Sequence, residues 1–112
     1  MTTIWHNPRC SKSRATLALI EGAGINPEIR LYQDSAPSVS EIREVLTLLN
    51  ISAADLVRKG EALFKELGLK DADNAALIKA MSANPKLIER PVVLANGKAA
   101  LGRPPESVLD II

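Results

Sequence analysis

The chain has 112 residues, of which 46% are hydrophobic and 24% charged, an ordinary mixture for one globular domain that buries a core without staples. Fourteen basic residues against thirteen acidic leave a net charge of +1, which argues against a surface devoted to nucleic acid. The single cysteine, Cys10, rules out an intrachain disulfide framework.

The start, MTTIWHNPRC, has neither the basic nor the apolar region of a secretory signal. No apolar run is long enough to span a bilayer. A cytoplasmic protein with no membrane association is expected, and small size with near-neutral charge favours a monomer.

In chain order, TTIW (2–5) is short, β-branched and apolar, and predicts a strand. A turn through HNPR precedes a helix over 11–23, so rich in Ala15, Leu17, Ala18, Leu19 and Ile20 that it is expected to be largely buried. EIRLYQ (28–33) alternates as a second strand, and strand–helix–strand connectivity calls for a parallel pair.

The middle is helical. Ser38 and Glu41 stand at capping-box spacing ahead of Ile42, Val45, Leu46 and Leu49 on one helical face. Ser52 and Asp55 open a short helix, and Glu61–Leu67 forms another before Gly68. Asp73 caps NAALIKAMSAN, where Leu77, Ile78 and Met81 share a face. The tail changes character: PVVLANGKAALG is two apolar runs joined by Asn96-Gly97, a strong hairpin signal. RPPESVLDII then closes the chain as a helix with proline near its first turn. The order β-α-β, helical insertion, β-β-α predicts an α/β fold: a mixed sheet flanked by helices, of thioredoxin-like type. One domain over 1–112 is expected, with the insertion at about 38–88.

Cys10 falls where the first strand hands over to the first helix. Free N–H groups and the macrodipole at a helix N-terminus favour a thiolate over a thiol. Arg9, Lys12 and Arg14 add positive charge, and no carboxylate lies between positions 9 and 14. Such surroundings lower a cysteine pKa, and the same N–H groups can hold an oxyanion. Buried cysteines are usually inert, but this position and company point to a nucleophile that meets an anion. His6, at the strand end, is within reach to support the thiolate. One cysteine and one histidine are too few for a closed zinc site, so no metal is expected.

HNPRCSKSR, LIERPVV and GRPPESVLDII, in this order and at this separation, resemble the ArsC-type, glutaredoxin-coupled arsenate reductase family. The likeness covers essentially the whole chain, LVRKGE and LFKELGL in the helical insertion included. It implies a thioredoxin-like fold, Cys10 as nucleophile, and His6 and Ser13 as its supporting neighbours. Arg58, Arg90 and Arg103 would bind the oxyanion, and Pro91 would be a cis proline. It further implies glutathione as co-substrate, glutaredoxin as protein partner, and no bound cofactor.

The chain departs from the family pattern at Ser11 and Lys12, where glycine and threonine are usual; Lys12 brings another cation near the sulfur. A single cysteine provides no internal resolving thiol, so further sulfurs must come from outside. That excludes the arsenate reductases that shuttle a disulfide among their own cysteines.

Two other readings attach to the same residues. CSKS is a C-x-x-S pattern, as in a glutathione-dependent monothiol oxidoreductase acting on mixed disulfides. Spx-like regulators share the fold and bind RNA polymerase, but their C-x-x-C switch is absent because Ser13 stands at the second position.

Overall fold

The computed structural model describes residues 1–112 and divides them into two compact units, 1–35 with 90–112, and 36–89. The first carries a four-stranded sheet in the order β2-β1-β3-β4, built from β1 (Thr2–Trp5), β2 (Glu28–Arg30), β3 (Val92–Ala95) and β4 (Lys98–Leu101). β1 runs parallel to β2, with Ile4 opposite Ile29, and antiparallel to β3, with Ile4 opposite Val93. β3 and β4 form the expected hairpin, in which Asn96 and Gly97 both take positive φ, 54° and 74°. That is the two-residue turn whose twist matches the flanking strands. Asn96 Nδ2 also donates to the Ile111 carbonyl at 2.7 Å, fastening the turn to the C-terminal segment.

Helix α1 (Ser11–Gly22) makes the crossover between the parallel strands. It packs beside the C-terminal segment, and Ile4, Ile20, Val93 and Val108 form a fully buried core between them and the sheet. This is a mixed α/β arrangement of thioredoxin-like type. The Arg90–Pro91 peptide is cis, as the resemblance implies, and so is Arg103–Pro104.

Three expectations need correction. α1 is not largely buried: only Ser13, Thr16 and Ile20 are, while Ala15 and Ala18 face solvent. Alanine is small enough to be left exposed at little cost. The two buried hydroxyls are satisfied, Thr16 by donating to the Lys12 carbonyl at 2.7 Å and Ser13 by His6 and Asn7. β2 ends at Arg30 and not at residue 33, because the amides of Asp34 and Ser35 turn back onto the Leu31 carbonyl. The closing helix is a short 3-10 helix, Pro105–Asp110. Pro104 and Pro105 lack amide donors, and the first closure is Ser107 N–H to the Pro104 carbonyl.

The second unit is helical, with α2 (Val39–Leu49), α3 (Ala53–Leu56), α4 (Ala62–Glu66) and α5 (Asn74–Ala83). The capping box at α2 forms in full: Glu41 N–H donates to Ser38 Oγ at 3.1 Å, and Ser38 N–H to Glu41 Oε1 at 2.9 Å. Asp73 caps α5 through Ala76 N–H at 2.8 Å. Packing of α2 and α3 on α5 buries Ile42, Val45, Leu56, Ile78 and Met81. No helix is long and apolar enough to cross a membrane.

Candidate active site

Cys10 is the N-cap of α1, in extended conformation with φ −94° and ψ 122°. The loop that delivers it is built from within. Asn7 Oδ1 accepts from Arg9 N–H at 3.0 Å, and the Cys10 amide turns back to the Asn7 carbonyl at 3.0 Å. From the first turn of α1, Arg14 donates a guanidinium N–H to the Pro8 carbonyl at 2.8 Å. The loop is therefore clamped from both ends.

Cys10 is 9% exposed. Burial on its own pushes the thiol pKa up. The amide of Ser13, the charge of Arg90, the amide of Lys12 and a hydrogen bond from the Arg90 side chain outweigh it, and hold the pKa below that of an ordinary thiol. The helix N-terminus and one guanidinium thus do what the sequence anticipated for the cluster of Arg9, Lys12 and Arg14. Arg90, which comes from the segment leading into β3, touches the sulfur directly.

His6 is 6% exposed and its Nδ1 lies 2.7 Å from Ser13 Oγ. Its own amide donates to the Arg30 carbonyl at 2.8 Å, which extends the parallel pairing of β1 and β2 by one residue. Ser13 Oγ also accepts from Asn7 N–H at 3.0 Å. Burial lowers the His6 pKa; the nearby charge of Arg14 lowers it further, while Glu21 opposes. The ring is accordingly neutral near pH 7. Ser13 links this ring to the sulfur, because its amide serves Cys10 and its hydroxyl serves His6.

Arg103 donates from its guanidinium to the Arg90 carbonyl at 3.1 Å, so these two arginines are neighbours. Five of the six candidate residues, namely Cys10, His6, Ser13, Arg90 and Arg103, thus lie in the first unit and are joined by these contacts. The sixth, Arg58, belongs to the second unit. There it pairs with Glu61 at 3.0 Å and Glu89 at 3.8 Å, and lies 3.4 Å from the Lys86 carbonyl.

Two contributors escaped the sequence reading. Asn7 shapes the loop with both its amide and its side chain; the Asn-Pro dipeptide is a turn signal that pointed there. Gly102 lies where β4 meets the cis proline, its amide donating to the Pro91 carbonyl at 3.0 Å. A Cβ at this position would press on Thr16 Oγ1 and come within 2.6 Å of Pro91 Cγ. Nothing in the sequence marks that approach, because it joins residues far apart along the chain.

The model of the ArsC family matches residues 5–111. This chain belongs to the ArsC family. It is 50% identical over 112 residues to a protein of Neisseria meningitidis named arsenate reductase, covering 97% of this chain and 96% of that one. It is 52% identical to the Escherichia coli K12 protein named "Uncharacterized protein YfgD", covering 97% and 94%. Among solved structures, an arsenate reductase from Vibrio cholerae superposes with a TM-score of 0.96 at 47% identity, covering 99% of this chain and 97% of its own. For an ArsC-family chain, a low-pKa cysteine held by helix amides and an arginine is an arrangement that can bring a thiolate and an oxyanion together.

Proposed function

We propose that this protein is an arsenate reductase in which Cys10 is the nucleophile. One observation carries the reading: Cys10 is the N-cap of α1, where the Ser13 and Lys12 amides and the Arg90 guanidinium favour its thiolate, in a chain half identical, end to end, to a protein named arsenate reductase. Arsenate is a multiply charged tetrahedral anion that would repel a thiolate. The guanidinium groups of Arg90 and Arg103 supply fixed donors that offset this charge and orient the oxygens. Arg58 is proposed as a further oxyanion ligand on the strength of its LVRKGE motif alone.

In the proposed sequence, Cys10 Sγ attacks arsenic, and one oxygen leaves as water after protonation. The result is a covalent arseno-cysteine with arsenic still pentavalent. Glutathione displaces a second oxygen, also as water. A glutaredoxin thiolate then attacks the glutathionyl sulfur; the As–S bond breaks and its electron pair stays on arsenic. The sulfurs are oxidised to a mixed disulfide as arsenic becomes trivalent, and hydrolysis frees arsenite and the Cys10 thiol. His6 and Ser13 act as positioning residues that hold the loop and the amide facing the sulfur. External thiols fit a chain with one cysteine and a serine at position 13 engaged with His6.

The test is arsenate-dependent NADPH consumption with glutathione, glutathione reductase and glutaredoxin, each thiol reagent being left out in turn. The proposal expects turnover only when both are present. Equal turnover without glutaredoxin would remove it from the scheme. Oxidation of glutathione mixed disulfides in the absence of arsenate would favour the monothiol oxidoreductase.

A further inference from the structure

Next to the catalytic loop lies a groove of about 320 Å³, lined by His6, Pro8, Arg9, Leu31, Gln33 and Asp34 among others. Its volume is at the lower end of the range of small-molecule sites. Its walls are the loop leaving β1 and the turn leaving β2, the same turn that cuts β2 short.

The hydrogen bonds of Ser13 settle which nitrogen of His6 faces a ligand. Ser13 is fully buried, and its hydroxyl has two partners, the Asn7 amide and His6 Nδ1. The amide can only donate, so the hydroxyl proton has one acceptor available, Nδ1. In the neutral ring the histidine proton then sits on Nε2. This N–H forms no hydrogen bond within the protein and is not among its enclosed unpartnered polar atoms, so it is open to the solvent of the groove that His6 lines.

Two charges of opposite sign line the same groove without meeting. Neither the Arg9 guanidinium nor the Asp34 carboxylate is a member of the ion pairs around Arg58 and Lys86. Leu31, 42% exposed, adds an apolar surface beside the Gln33 amide. The groove therefore offers an N–H donor and a guanidinium to a carboxylate, a carboxylate to an ammonium group, and an amide to a peptide link. That is a complement to a small zwitterionic peptide.

We propose that this groove is the docking site for the peptide thiol of the reaction, of the glutathione class, with its carboxylate on His6 Nε2 and Arg9 and its ammonium on Asp34. The assignment rests on the arsenate reductase reading for its purpose but not for its test. Bound there, the peptide is held beside the loop that carries Cys10, and its local concentration rises before the sulfur is needed.

S-methylglutathione cannot form a disulfide and so isolates binding from chemistry. It is titrated into the uniformly ¹⁵N-labelled protein, without arsenate, and followed by ¹H–¹⁵N correlation spectra of backbone and histidine ring. The expected result is saturable shifts at Asn7, Arg9, Leu31, Gln33 and Asp34, with a shift of the protonated His6 Nε2. Arg9→Gln and Asp34→Asn, checked for an unchanged spectrum when free, are each expected to weaken binding about fivefold, as suits exposed charge pairs. The absence of saturable shifts, shifts confined to Cys10–Ser13 and Arg90, or wild-type affinity in both variants would overturn the proposal. Failure of arsenate turnover with these shifts intact would count against the reductase reading and leave the groove assigned.

Discussion

At the scale of single residues the site turns on a competition at one sulfur. Burial favours the neutral thiol, while two amides and a guanidinium favour the thiolate and prevail. The pH profile of alkylation by iodoacetamide is therefore expected to have its midpoint below that of free cysteine. Arg90→Gln should move it upward, since both the charge and the hydrogen bond are lost; an unmoved midpoint would show that Arg90 does not tune the sulfur. Ser13→Ala leaves the Asn7 amide and His6 Nδ1 without their partner, and unsatisfied buried groups cost about 1–3 kcal/mol each. A thermal melt should register this as clear destabilisation. His6 adds a pH dependence of its own. Its pKa is lowered in the folded state, so the unfolded chain binds the proton first as pH falls. This contribution to stability is whole above the unfolded value of 6.5 and drains away as pH drops below it. His6→Gln should flatten that part of the stability curve in denaturant titrations between pH 5 and 7.

The elements show which signals are local and which are not. The Asn96-Gly97 turn, the Ser38–Glu41 box and the Asp73 cap were legible because each is decided within four residues. The extent of β2 was not, because a chain reversal onto the Leu31 carbonyl overrides the alternation of EIRLYQ. The burial of α1 was misjudged for a related reason. Apolar content suggested an enclosed helix, but the buried face carries Ser13 and Thr16, whose hydroxyls find partners in the fold. Gly102 belongs at this scale too, since it lets β4 pass Thr16 and Pro91. Gly102→Ala overfills that contact and is expected to cost about 1–3 kcal/mol. A variant as stable as the wild type in urea would show that Thr16 or Pro91 can yield.

Across the whole molecule, the candidate site was legible to different depths. Cys10 was marked by its junction position and by charge, both visible along the chain. That Arg90 meets the sulfur and Arg103 meets Arg90 follows from a sheet in which β3 lies beside β1, a pairing of residues about ninety positions apart that spacing alone does not reveal. The thioredoxin-like arrangement places the one thiol of this ArsC-family chain at a helix end, and the proposed scheme draws its other sulfurs from outside. The groove beside His6 extends this logic to a place where such a thiol can wait. The central claim is that arsenate chemistry runs through Cys10. Its most direct test is arsenate-dependent NADPH consumption in the glutathione and glutaredoxin system, comparing wild type with a folded Cys10→Ser variant. The account predicts turnover by the wild type and only background from the variant; sustained turnover by Cys10→Ser, or none by the wild type, would contradict it.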